Sequence, residues 1–466
     1  MKELIVHEPW TGDELGRLPL ADAARAEEAT ARCVSAFDAT RAMSSHERKA
    51  LLAGIATELT RRQDELAELL AREAGKPITM AKAEVLRAIA TFDLGAEEAT
   101  RIMGEVIPLD VTAPSRGYSG SWVRVPAGPV LAIAPFNFPL NLVAHKIAPA
   151  LACGCSIVLK PPPQAPLSAM KLAECIRAAG ERVGASEHAV QIVACDNDVA
   201  ERMVRDDRFA TLSFTGSAKV GWYLKSIAGK KRVLLELGGN AAVIAHDDAK
   251  LPFVVERVTA GAFGYAGQVC IKVQRLYVQR TVADGLVDDI VARAKKLTPS
   301  SPLDPSAVVG PMIDEGNAKR VEAWVGEAVA AGAKLLCGGT RDGNRYTPTV
   351  LEVTGDGKGM KVVEEEVFGP VLTVHRYDTW DEALAMADAT RYGLQAGIFT
   401  DSHARIRQAF ARLHVGGLIV NDIPTFRVDV MPYGGTRDSG FGREGVRFAI
   451  EEMTERKLLV VREGGV

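Results

Sequence analysis

The stretch "PVLAIAP" at residues 129–135 is a short apolar run with a proline at each end. Similar runs follow it, with helical stretches between them: "SIVLK" (156–160), "AVQIVA" (189–194), "FATLSF" (209–214) and "RVLLEL" (232–237). This alternation is typical of βαβ units in a parallel, doubly wound sheet. Residues 129–245 are therefore predicted to form an α/β domain.

A second region of the same kind covers residues 248–431. Its predicted strands include "RLYVQR" (275–280), "VLTVHR" (371–376) and "GGLIVN" (416–421), and helical stretches lie between them. Because the two alternating regions follow one another along the chain, we expect two α/β domains rather than one.

Helices and a ribbon precede the first sheet. Residues 44–75 predict one amphipathic helix, capped by Ser44 or Ser45 and ended by Gly75, and a second helix follows over about residues 79–103. The stretch "RGYSGSWVRVPAG" (116–128) alternates apolar and polar residues and predicts an exposed β-ribbon.

The C-terminal stretch "AIEEMTERKLLVV" (449–461) predicts the end of a helix followed by a strand. No later segment of the chain is available to pair with that strand. We therefore expect it to pair with the ribbon of another subunit.

Composition restricts the class of protein. The 466 residues are 47% apolar and 25% charged, with a net charge of −3, which is ordinary for a soluble enzyme. No stretch concentrates Lys and Arg, which argues against a nucleic acid or an anionic membrane as partner. Neither the start, "MKELIVHEPWTGDELG", nor any later run is long and apolar enough for a signal peptide or a membrane span.

Seven scattered cysteines are an odd number and do not form a disulfide framework, so we expect a reducing, cytoplasmic setting. Cys153 and Cys155 in "ACGCSIV" have no second Cys or His pair at ligand spacing nearby. They are predicted to be small packing residues, and no metal site is expected.

Two polar islands follow predicted strands. In "PFNFPLN" (135–141), Asn137 lies where doubly wound sheets bind ligands, although an Asx turn explains it equally. In "FTGSAKVG" (214–221), Gly216 and Ser217 open a helix whose free backbone N–H groups could receive a phosphate. The chain has no G-x-G-x-x-G motif, so this second signal is weak by itself.

Two further islands carry reactive groups. Glu236 in "LLELGGN" (234–240) ends an apolar strand, where it is either a partly desolvated base or a solvated edge residue. Cys270 in "GYAGQVCIK" (264–272) is either a small core residue or a nucleophile. A free thiol has a pKa of about 8.5, so a nucleophilic Cys270 needs a base and a donor nearby.

Taken together, the order and spacing of these islands resemble the aldehyde dehydrogenase superfamily over essentially the whole chain. The matching pieces are "PFNFP", "VLKPPPQAP", "FTGS", "LELGGN", "GQVC", "EEEVFGP" and "PYGGTRDSGFGREG". The last piece and "KPPPQ" most resemble the branch that oxidises lactaldehyde, glycolaldehyde, glyceraldehyde 3-phosphate without phosphorylation, and phosphonoacetaldehyde. The resemblance favours the nucleophile for Cys270.

The resemblance implies a role for four catalytic residues. The Cys270 thiolate would attack the aldehyde carbon, and the Asn137 side chain with the Cys270 N–H would hold the resulting oxyanion. Glu236 would activate the water that releases the acid. Lys146 matches a lysine implicated in proton relay, although a helix lysine that snorkels toward solvent is an equal alternative.

The resemblance also implies NAD or NADP as cofactor. Lys160 would bind the adenosine ribose, Ser217 the pyrophosphate, and Glu366 the nicotinamide ribose, with Phe368 against the ring. The other cofactor-binding positions implied are Ala134, Pro135, Phe136, Pro163, Gly216, Leu237 and Gly238. Pro163 replaces the Glu that takes both ribose hydroxyls in NAD-preferring relatives, so we expect NADP to be used within about tenfold of NAD or better.

The expected substrate is a short, polar, uncharged aldehyde. The positions implied at the substrate are Phe138, His145, Val269, Ile271, Arg427 and Tyr433. Arg427 is either a hydrogen-bond donor to the substrate or an exposed loop charge. Val269 stands where phosphate-specific relatives carry a second arginine, and Lys272 compensates only if residues 270–272 are regularly extended.

Alternatives to this function remain. The substrate could instead be an anionic aldehyde such as glyceraldehyde 3-phosphate, phosphonoacetaldehyde or succinate semialdehyde. A cysteine-dependent esterase or acyltransferase would pair Cys with His, and only His145 falls in the islands. Glu236 disfavours a CoA-acylating relative, and the presence of Cys270 and Asn137 disfavours a non-catalytic scaffold.

The fold class implied is α/β, aldehyde dehydrogenase-like, with two doubly wound domains and a β-arm. The predicted dinucleotide-binding domain comprises residues 1–107 and 127–238, and the catalytic domain residues 239–431. Residues 108–126 and 432–466 form the oligomerisation arm and the C-terminal return. A homodimer or homotetramer is expected.

Overall fold

The computed structural model describes residues 2–462. Residue 1, which begins the predicted dinucleotide-binding domain, and residues 463–466, which end the predicted C-terminal return, lie outside the described part. The strands are β1 (Glu3–His7), β2 (Glu14–Pro19), β3 (Glu105–Pro108), β4 (Tyr118–Pro126), β5 (Val130–Ile133), β6 (Ile157–Lys160), β7 (Val190–Ile192), β8 (Thr211–Thr215), β9 (Arg232–Glu236), β10 (Ala242–Ala245), β11 (Arg275–Gln279), β12 (Lys334–Cys337), β13 (Arg341–Asp342), β14 (Arg345–Tyr346), β15 (Thr349–Glu352), β16 (Val371–Tyr377), β17 (Gln395–Phe399), β18 (Gly417–Val420), β19 (Gly440–Phe441) and β20 (Thr454–Arg462).

The α-helices separate these strands in the way that the alternating pattern predicts. They are α1 (Ala23–Ala42), α2 (Ser45–Arg61), α3 (Gln63–Ala74), α4 (Ile78–Glu98), α5 (Asn141–Cys153), α6 (Leu167–Val183), α7 (Asn197–Arg205), α8 (Ala218–Ile227), α9 (Leu251–Phe263), α10 (Arg280–Ala294), α11 (Glu315–Ala330), α12 (Lys361–Glu364), α13 (Trp380–Asp388), α14 (His403–Arg412) and α15 (Val446–Glu452).

The first large sheet has six strands in the order β19-β9-β8-β5-β6-β7, all parallel except β19. Successive residues of β5 belong to opposite cores: Val130 and Ala132 pack with α2 to α6, while Leu131 and Ile133 pack with α1, α7 and α8. Because both faces are covered by helices, the central strand β5 is apolar at all four positions.

The second large sheet has seven strands in the order β12-β15-β16-β11-β10-β17-β18, and only β12 is antiparallel. Side chains of α9, α10 and α11 cover one face, and those of α13 and α14 cover the other. The structure therefore contains two doubly wound α/β sheets.

A third sheet, in the order β20-β4-β3, forms the arm. Here the structure corrects one expectation: β20 pairs within its own chain, along the whole of β4, from Thr454 opposite Pro126 to Arg462 opposite Tyr118. The reason is tertiary, because α15 packs against α5 and so delivers Thr454 to the end of the ribbon.

The predicted helix over 44–75 is wrong in one respect, because it is two helices. Ser44 caps α2 through a capping box with Glu47, as expected, and α3 ends at Gly75, whose φ is 65°. The helix breaks at Arg62, where φ is −111° and ψ is 16°. After the break, the apolar side of α3 packs against α4 and α6.

The predicted helix over 79–103 also ends early, at Glu98 in α4. The chain then passes so close to the ribbon that a Cβ at Gly104 would lie 2.0 Å from the Trp122 carbonyl oxygen. This close approach draws residues 101–104 into the arm instead of the helix.

Residues 2–462 contain neither a membrane-spanning helix nor a metal-binding cluster. None of the described helices has the length and apolar character required to cross a membrane. In the same part of the chain, no cluster of three or more His, Cys, Asp or Glu side chains is arranged to hold a metal ion.

Candidate active site

The candidate site lies where the carboxyl ends of β5 and β9 in the first sheet meet the loop before β11 in the second. Asn137 follows β5, Glu236 is the last residue of β9, and Cys270 lies in the loop. Parallel strands bring their carboxyl ends to one edge, which is why residues distant in sequence converge here.

The Cys270 loop is held in a strained turn. Tyr265, Ala266 and Gly267 have φ values of 54°, 51° and 65°, three successive left-handed residues. At Gly267 a Cβ would lie only 2.3 Å from the Gly369 carbonyl oxygen, so only glycine fits. The turn projects Cys270 toward Tyr433, whose Oη is 3.1 Å from the thiol sulfur.

Lys272 does not compensate for the missing arginine at Val269. Residues 270 and 271 form a turn rather than an extended strand, with the Lys272 N–H bonded to the Val269 carbonyl at 3.0 Å. The Lys272 ammonium donates to the Val371 carbonyl inside the second domain. Burial lowers the pKa of this side chain to about 7.

Asn137 is buried and tied to the cysteine loop. Its Nδ2 donates to the Gln268 carbonyl oxygen at 3.2 Å, two residues before Cys270. The amide therefore points across the site instead of closing a local Asx turn. A carboxamide carries two N–H donors, so one remains for a second acceptor.

Glu236 is 4% exposed, so the solvated-edge alternative is wrong. Among the described residues its Oε2 has no hydrogen-bond partner. Burial and the neighbouring Glu444 raise the pKa of Glu236 well above its ordinary value. A carboxyl group with a raised pKa and a free oxygen can accept a proton near neutral pH.

Lys146 is fully buried in α5, and the snorkelling alternative is wrong for it. Its ammonium donates to Thr215 Oγ1 at 2.8 Å and to Ser213 Oγ at 3.0 Å, and it lies 3.3 Å from Glu444 Oε1. Burial lowers the pKa of Lys146, and the charge of Glu444 opposes this effect.

Arg427 is also internal, so the exposed-loop alternative is wrong. Its side chain is 7% exposed, and the guanidinium carbon lies 3.6 Å from the centroid of the Tyr433 ring. One guanidinium nitrogen is 3.3 Å from Glu444 Oε2, while Nε has no partner among the described residues. Arg427 therefore retains a free donor in the site.

His145 is buried behind Arg427. Its Nε2 lies 2.7 Å from Asp429 Oδ1, and Arg87 approaches the same carboxylate at 2.7 Å. Burial acts to raise the pKa of Asp429, but the hydrogen bonds from His145 and Arg87 outweigh burial and hold this pKa below its usual range. The imidazole is therefore oriented by Asp429, and its Nδ1 has no partner in residues 2–462.

The expected adenosine and pyrophosphate residues lie at the carboxyl edge of the first sheet. Lys160 ends β6 and has no hydrogen bond or ion pair among the described residues, although it is almost buried. Pro163 is exposed in the next loop, and exposed Ser217 precedes α8. A Cβ at Gly216 would lie 2.6 Å from the Phe214 ring.

The expected nicotinamide residues meet from both sheets. Glu366 Oε1 accepts from the Gly239 N–H at 3.2 Å, and burial raises the pKa of Glu366 to about 7. A Cβ at Gly238 would lie 1.9 Å from Glu366 Oε2, so any larger residue there would displace the Glu366 carboxyl group. The Phe368 ring packs edge-on against Phe136, with centroids 5.8 Å apart.

The remaining expected residues line the same region. They are Ala134, whose N–H donates to the Lys160 carbonyl at 3.1 Å, Pro135 directly after it, buried Leu237 and Ile271, and half-buried Phe138 and Val269. The roles assigned to all these residues stay predictions, whereas their convergence is a feature of the structure.

Comparison with known proteins places the chain in a family. The model for "Aldehyde dehydrogenase family" matches residues 1–459. The chain belongs to the aldehyde dehydrogenase family. This confirms the predicted fold class, and it identifies an oxidoreductase, so a cysteine-dependent esterase is no longer supported.

Three similar proteins illustrate the dehydrogenase's relatives. A 3-sulfolactaldehyde dehydrogenase from Priestia aryabhattai is 44% identical over 429 residues, which cover 92% of this chain and 89% of that one. The structure of aldehyde dehydrogenase 21 from Physcomitrella patens, complexed with the product succinate, is 44% identical with a TM-score of 0.96, covering 100% and 96%. Glyceraldehyde-3-phosphate dehydrogenase GapN from Methanocaldococcus jannaschii, complexed with NADP, is 37% identical with a TM-score of 0.95, covering 99% of each chain.

The dehydrogenase uses NAD or NADP, and its residues fit such a cofactor. The unpaired Lys160 ammonium, the exposed helix start at Ser217 and the buried carboxylate of Glu366 supply a cation, backbone donors and an acceptor along one edge. Dinucleotides need this combination for their ribose hydroxyls and phosphates.

Sequence reasoning missed several residues of this dehydrogenase's site. Glu444 lies in the quoted "GREG" piece, and Asp429 follows Arg427 by two residues, but neither was considered. Lys76 and Glu84 were missed as well. A signal for Glu84 exists, because Glu84, Arg87 and Thr91 are polar residues at helical spacing along α4.

Proposed function

We propose that this dehydrogenase oxidises a short polar aldehyde to the carboxylic acid through a covalent thioester on Cys270. The observation that carries the proposal is the 3.2 Å hydrogen bond between Asn137 Nδ2 and the Gln268 carbonyl, which ties the amide to the cysteine loop. This one contact connects the proposed oxyanion donor, Asn137, to the loop that carries the proposed nucleophile, Cys270.

The first step needs a thiolate. Burial raises the pKa of Cys270 to about 11, although Tyr433 and Arg427 oppose the shift. Glu236, with its raised pKa and unpaired Oε2, is the proposed proton acceptor. As sulfur attacks the aldehyde carbon, the carbonyl oxygen becomes an oxyanion held by the free Asn137 N–H and the Cys270 backbone N–H.

The second step forms the thioester. The oxidised nicotinamide, when bound, accepts the hydride that leaves the carbon. One oxyanion donor typically contributes about 3–4 kcal/mol to transition-state stabilisation, so losing the Asn137 amide should slow the reaction by about 10²–10³-fold. Glu236 first returns the thiol proton to solvent. Water then attacks the thioester, Glu236 takes the proton of that water, and Cys270 leaves as the thiolate.

The proton taken by Glu236 has groups near it that can hold compensating charge. Burial acts to raise the pKa of Glu444, but Lys146, His145 and Arg427 together outweigh burial and lower this pKa to about 2. Glu444 therefore remains ionised. Its interaction with Lys146 favours the charged form of that ammonium, against the effect of burial. We assign Lys146 the role of stabilising the ionised form of Glu236 between turnovers.

Nucleophile and base should separate kinetically. We expect Cys270→Ala to abolish dehydrogenase activity and to keep cofactor affinity, because its side chain is needed only for chemistry. Glu236→Gln should still acylate but should release acid slowly, since the water has lost its base. Stopped-flow absorbance at about 340 nm reports both, as a reduced-cofactor burst and a slow steady state.

Turnover by Glu236→Gln at the parental rate, with no burst, would contradict the role of Glu236. Retained turnover in Cys270→Ala would overturn the covalent mechanism itself. Binding of NADP to both variants, followed by fluorescence, is the control for folding.

A second candidate substrate, an aldehyde with one anionic head group, is favoured by the charges around Arg427. Lys146 and Arg427 are buried cations, and Glu444 is a buried anion. Once Glu236 has taken the thiol proton it adds no charge, so at that stage these four groups carry one net positive charge. A carboxylate or sulfonate head group would balance it, whereas a doubly charged phosphate would leave a buried excess.

Relatives support this second candidate. The 44% identical protein from Priestia aryabhattai is named for 3-sulfolactaldehyde, and the Physcomitrella patens structure holds succinate. Both compounds are short and carry an anionic group. The free Nε of Arg427 is the donor that we assign to such a head group.

A substrate panel decides between the two candidates. We expect higher kcat/KM for lactaldehyde, glycolaldehyde or glyceraldehyde than for glyceraldehyde 3-phosphate or long aliphatic aldehydes. In the monoanion case, Arg427→Ala should lower kcat/KM for succinate semialdehyde by at least about 100-fold, the cost of an unpaired buried charge, and for lactaldehyde by far less. Equal losses for both substrates would show that Arg427 does not read the head group, and a clear preference for the phosphorylated aldehyde would contradict the charge argument.

The proposal extends to organisation. We assign residues 1–107 and 127–238 to a dinucleotide-binding domain, apart from residues 101–107, which leave α4 and enter the arm sheet through β3. We assign residues 239–431 to a catalytic domain, and 108–126 with 432–466 to an arm and return that join copies into a dimer or tetramer. Exposed apolar residues of β20 support the assembly. The seven unpaired cysteines support a reducing cytoplasm as the setting.

A further inference from the structure

Lys76 and Glu84 form an ion pair that is completely buried yet takes no part in the chemistry described above. Lys76 lies in the connection between α3 and α4, and Glu84 lies in the second turn of α4. A buried ion pair adds little net stability compared with apolar residues of the same size. The position of the pair between the two loops of the site indicates another role.

Glu84 holds the start of α5. Its Oε1 accepts from the N–H groups of Leu140 and Asn141, at 3.0 and 3.1 Å. The residue at the N-cap position is Leu140, whose side chain cannot accept these bonds. Glu84 therefore supplies the missing cap from another helix. The capped N–H of Leu140 lies three residues after Asn137, the proposed oxyanion residue.

Lys76 contacts both catalytic loops at once. Its ammonium lies 3.7 Å from the centroid of the Phe138 ring, next to Asn137, and 4.8 Å from that of Tyr265. Tyr265 opens the left-handed turn that leads to Cys270, and its Oη donates to the Ala74 carbonyl at 2.9 Å. One cation therefore lies between an aromatic ring of each loop.

Two further residues on the same face of α4, Thr91 and Arg87, contact the segment 137–141 or the Asp429 carboxylate next to it. Thr91 Oγ1 donates to Asn141 Oδ1 at 3.1 Å, and Arg87 pairs with Asp429. Glu84 is the member of this face that bonds directly to the backbone of the segment.

We infer that the Lys76–Glu84 pair is a positioning device that fixes the Asn137 amide relative to Cys270. This rests on the proposed roles of those two residues. Asn137 and the cysteine loop share one direct hydrogen bond, to Gln268, and the pair adds a second connection through Phe138 and Tyr265. A shift of about 1 Å at such a site can cost about 100-fold in rate.

The test compares four variants of the full-length enzyme, each with NADP and a saturating aldehyde. Glu84→Gln keeps an oxygen acceptor but leaves the Lys76 cation unpaired. Lys76→Met removes the cation, and the double variant removes both charges. Glu73→Gln is the matched control, because Glu73 is an equally buried carboxylate that caps α6 through Leu167 and Ser168 at 2.8 and 2.9 Å.

We expect Glu84→Gln and Lys76→Met to lower kcat by at least twentyfold, with the aldehyde KM and the cofactor Kd within about threefold of the parent. The single-turnover rate of cofactor reduction should fall by the same factor as kcat. Glu73→Gln should lose a similar amount of melting temperature but keep kcat within twofold. In the double variant the melting temperature should recover while kcat stays low.

Recovery of kcat in the double variant would show that the single variants are slow only because one charge is left unpaired, and this would overturn the inference. A parental kcat in Glu84→Gln would overturn it as well. If Glu84→Gln fails to fold, Glu84→Asp retains the charge but withdraws the cap by one methylene, and parental kcat in that variant overturns the inference equally. Asn137→Ala is measured in parallel. If this variant keeps its activity, the proposed function is contradicted. If it loses its activity while Glu84→Gln remains fully active, only the positioning role is contradicted.

Discussion

At the scale of single residues, proton supply decides how this site works. Burial raises the pKa values of both Cys270 and Glu236, so the thiol and the carboxyl group each favour the neutral form. Their proton affinities are set by the same dry surroundings, while Glu444 stays ionised through Lys146 and Arg427. The ionised Glu236 carboxylate is therefore a stronger base than an exposed one, and the charged groups Glu444, Lys146 and Arg427 lie behind it.

We expect one residue, Pro163, to dominate the choice between NAD and NADP. Pro163 is exposed beside Lys160, where a Glu would accept the ribose hydroxyls of NAD and repel a 2′-phosphate. We expect NADP to support a kcat/KM within about tenfold of NAD or better, a gap of about 1.4 kcal/mol. Pro163→Glu should shift the ratio about tenfold toward NAD, because the new carboxylate repels the phosphate.

Steady-state kinetics with both cofactors measures this ratio. An NAD preference of more than about a thousandfold in the parent, equivalent to about 4 kcal/mol, would contradict the prediction. Pro162→Ala, a change at the buried neighbouring proline that adds no charge, controls for disturbance of the loop.

At the scale of elements, the two catalytic loops depend on unusual connections at their ends. α5 begins without a capping side chain of its own and takes Glu84 from α4 instead. The segment after α9 passes through three left-handed residues before it reaches Cys270. Both devices hold a short loop against a rigid sheet edge, which is what a reactive geometry needs.

Gly267 should be the most sensitive position in the cysteine turn. Its φ is 65°, and the 2.3 Å approach to the Gly369 carbonyl leaves no space for a Cβ. We expect Gly267→Ala to cost about 1–3 kcal/mol of unfolding free energy and to lower kcat about 100-fold, because the turn must shift Cys270.

Chemical denaturation and steady-state kinetics test this expectation. Gly285→Ala in α10 is the control, since no atom lies within 4 Å of its added Cβ and helix propensity predicts a gain of about 0.5–1 kcal/mol. A Gly267→Ala enzyme with parental activity would show that the turn does not set the position of Cys270.

At the scale of the whole molecule, the arm is the surface that a second copy would cover. β20 projects with β4 and β3 and exposes a continuous apolar stretch, with Leu459 61% and Val461 46% accessible. Monomeric proteins rarely leave such a stretch open, so it supports the proposed self-association. Pairing of β20 with β4 inside one chain leaves the arm preformed, with no need to exchange strands.

We expect Leu459→Asp combined with Val461→Asp to lower the mass of the particle in solution, because two buried carboxylates at an interface are costly. Multi-angle light scattering after size exclusion measures this mass. Lys457→Asp, on an exposed β20 residue that is already charged, is the control. An unchanged mass, or a parent that is already monomeric, would contradict an assembly through the arm.

The sequence by itself determined much of this protein. The apolar runs around 129–135 and 275–280 predicted two parallel sheets, because buried strands and amphipathic helices leave local periodic patterns. The positions of Asn137 and Glu236 after predicted strands indicated that these two residues converge, because carboxyl ends of parallel strands share an edge. These inferences needed only neighbouring residues and a rule of topology. Cys270 was added to them by the resemblance to the aldehyde dehydrogenase family.

Only the tertiary structure decided which charges meet. Nothing local in the sequence links Arg427 to Glu444, Lys76 to both catalytic loops, or β20 to β4, since each contact depends on how separate elements pack. Burial, which shifts the pKa of a thiol or a carboxyl group, is likewise a property of the assembled interior and not of the local sequence. The order of the motifs and the family that they resemble therefore predicted the reaction, and long-range packing decided the environment in which those residues act.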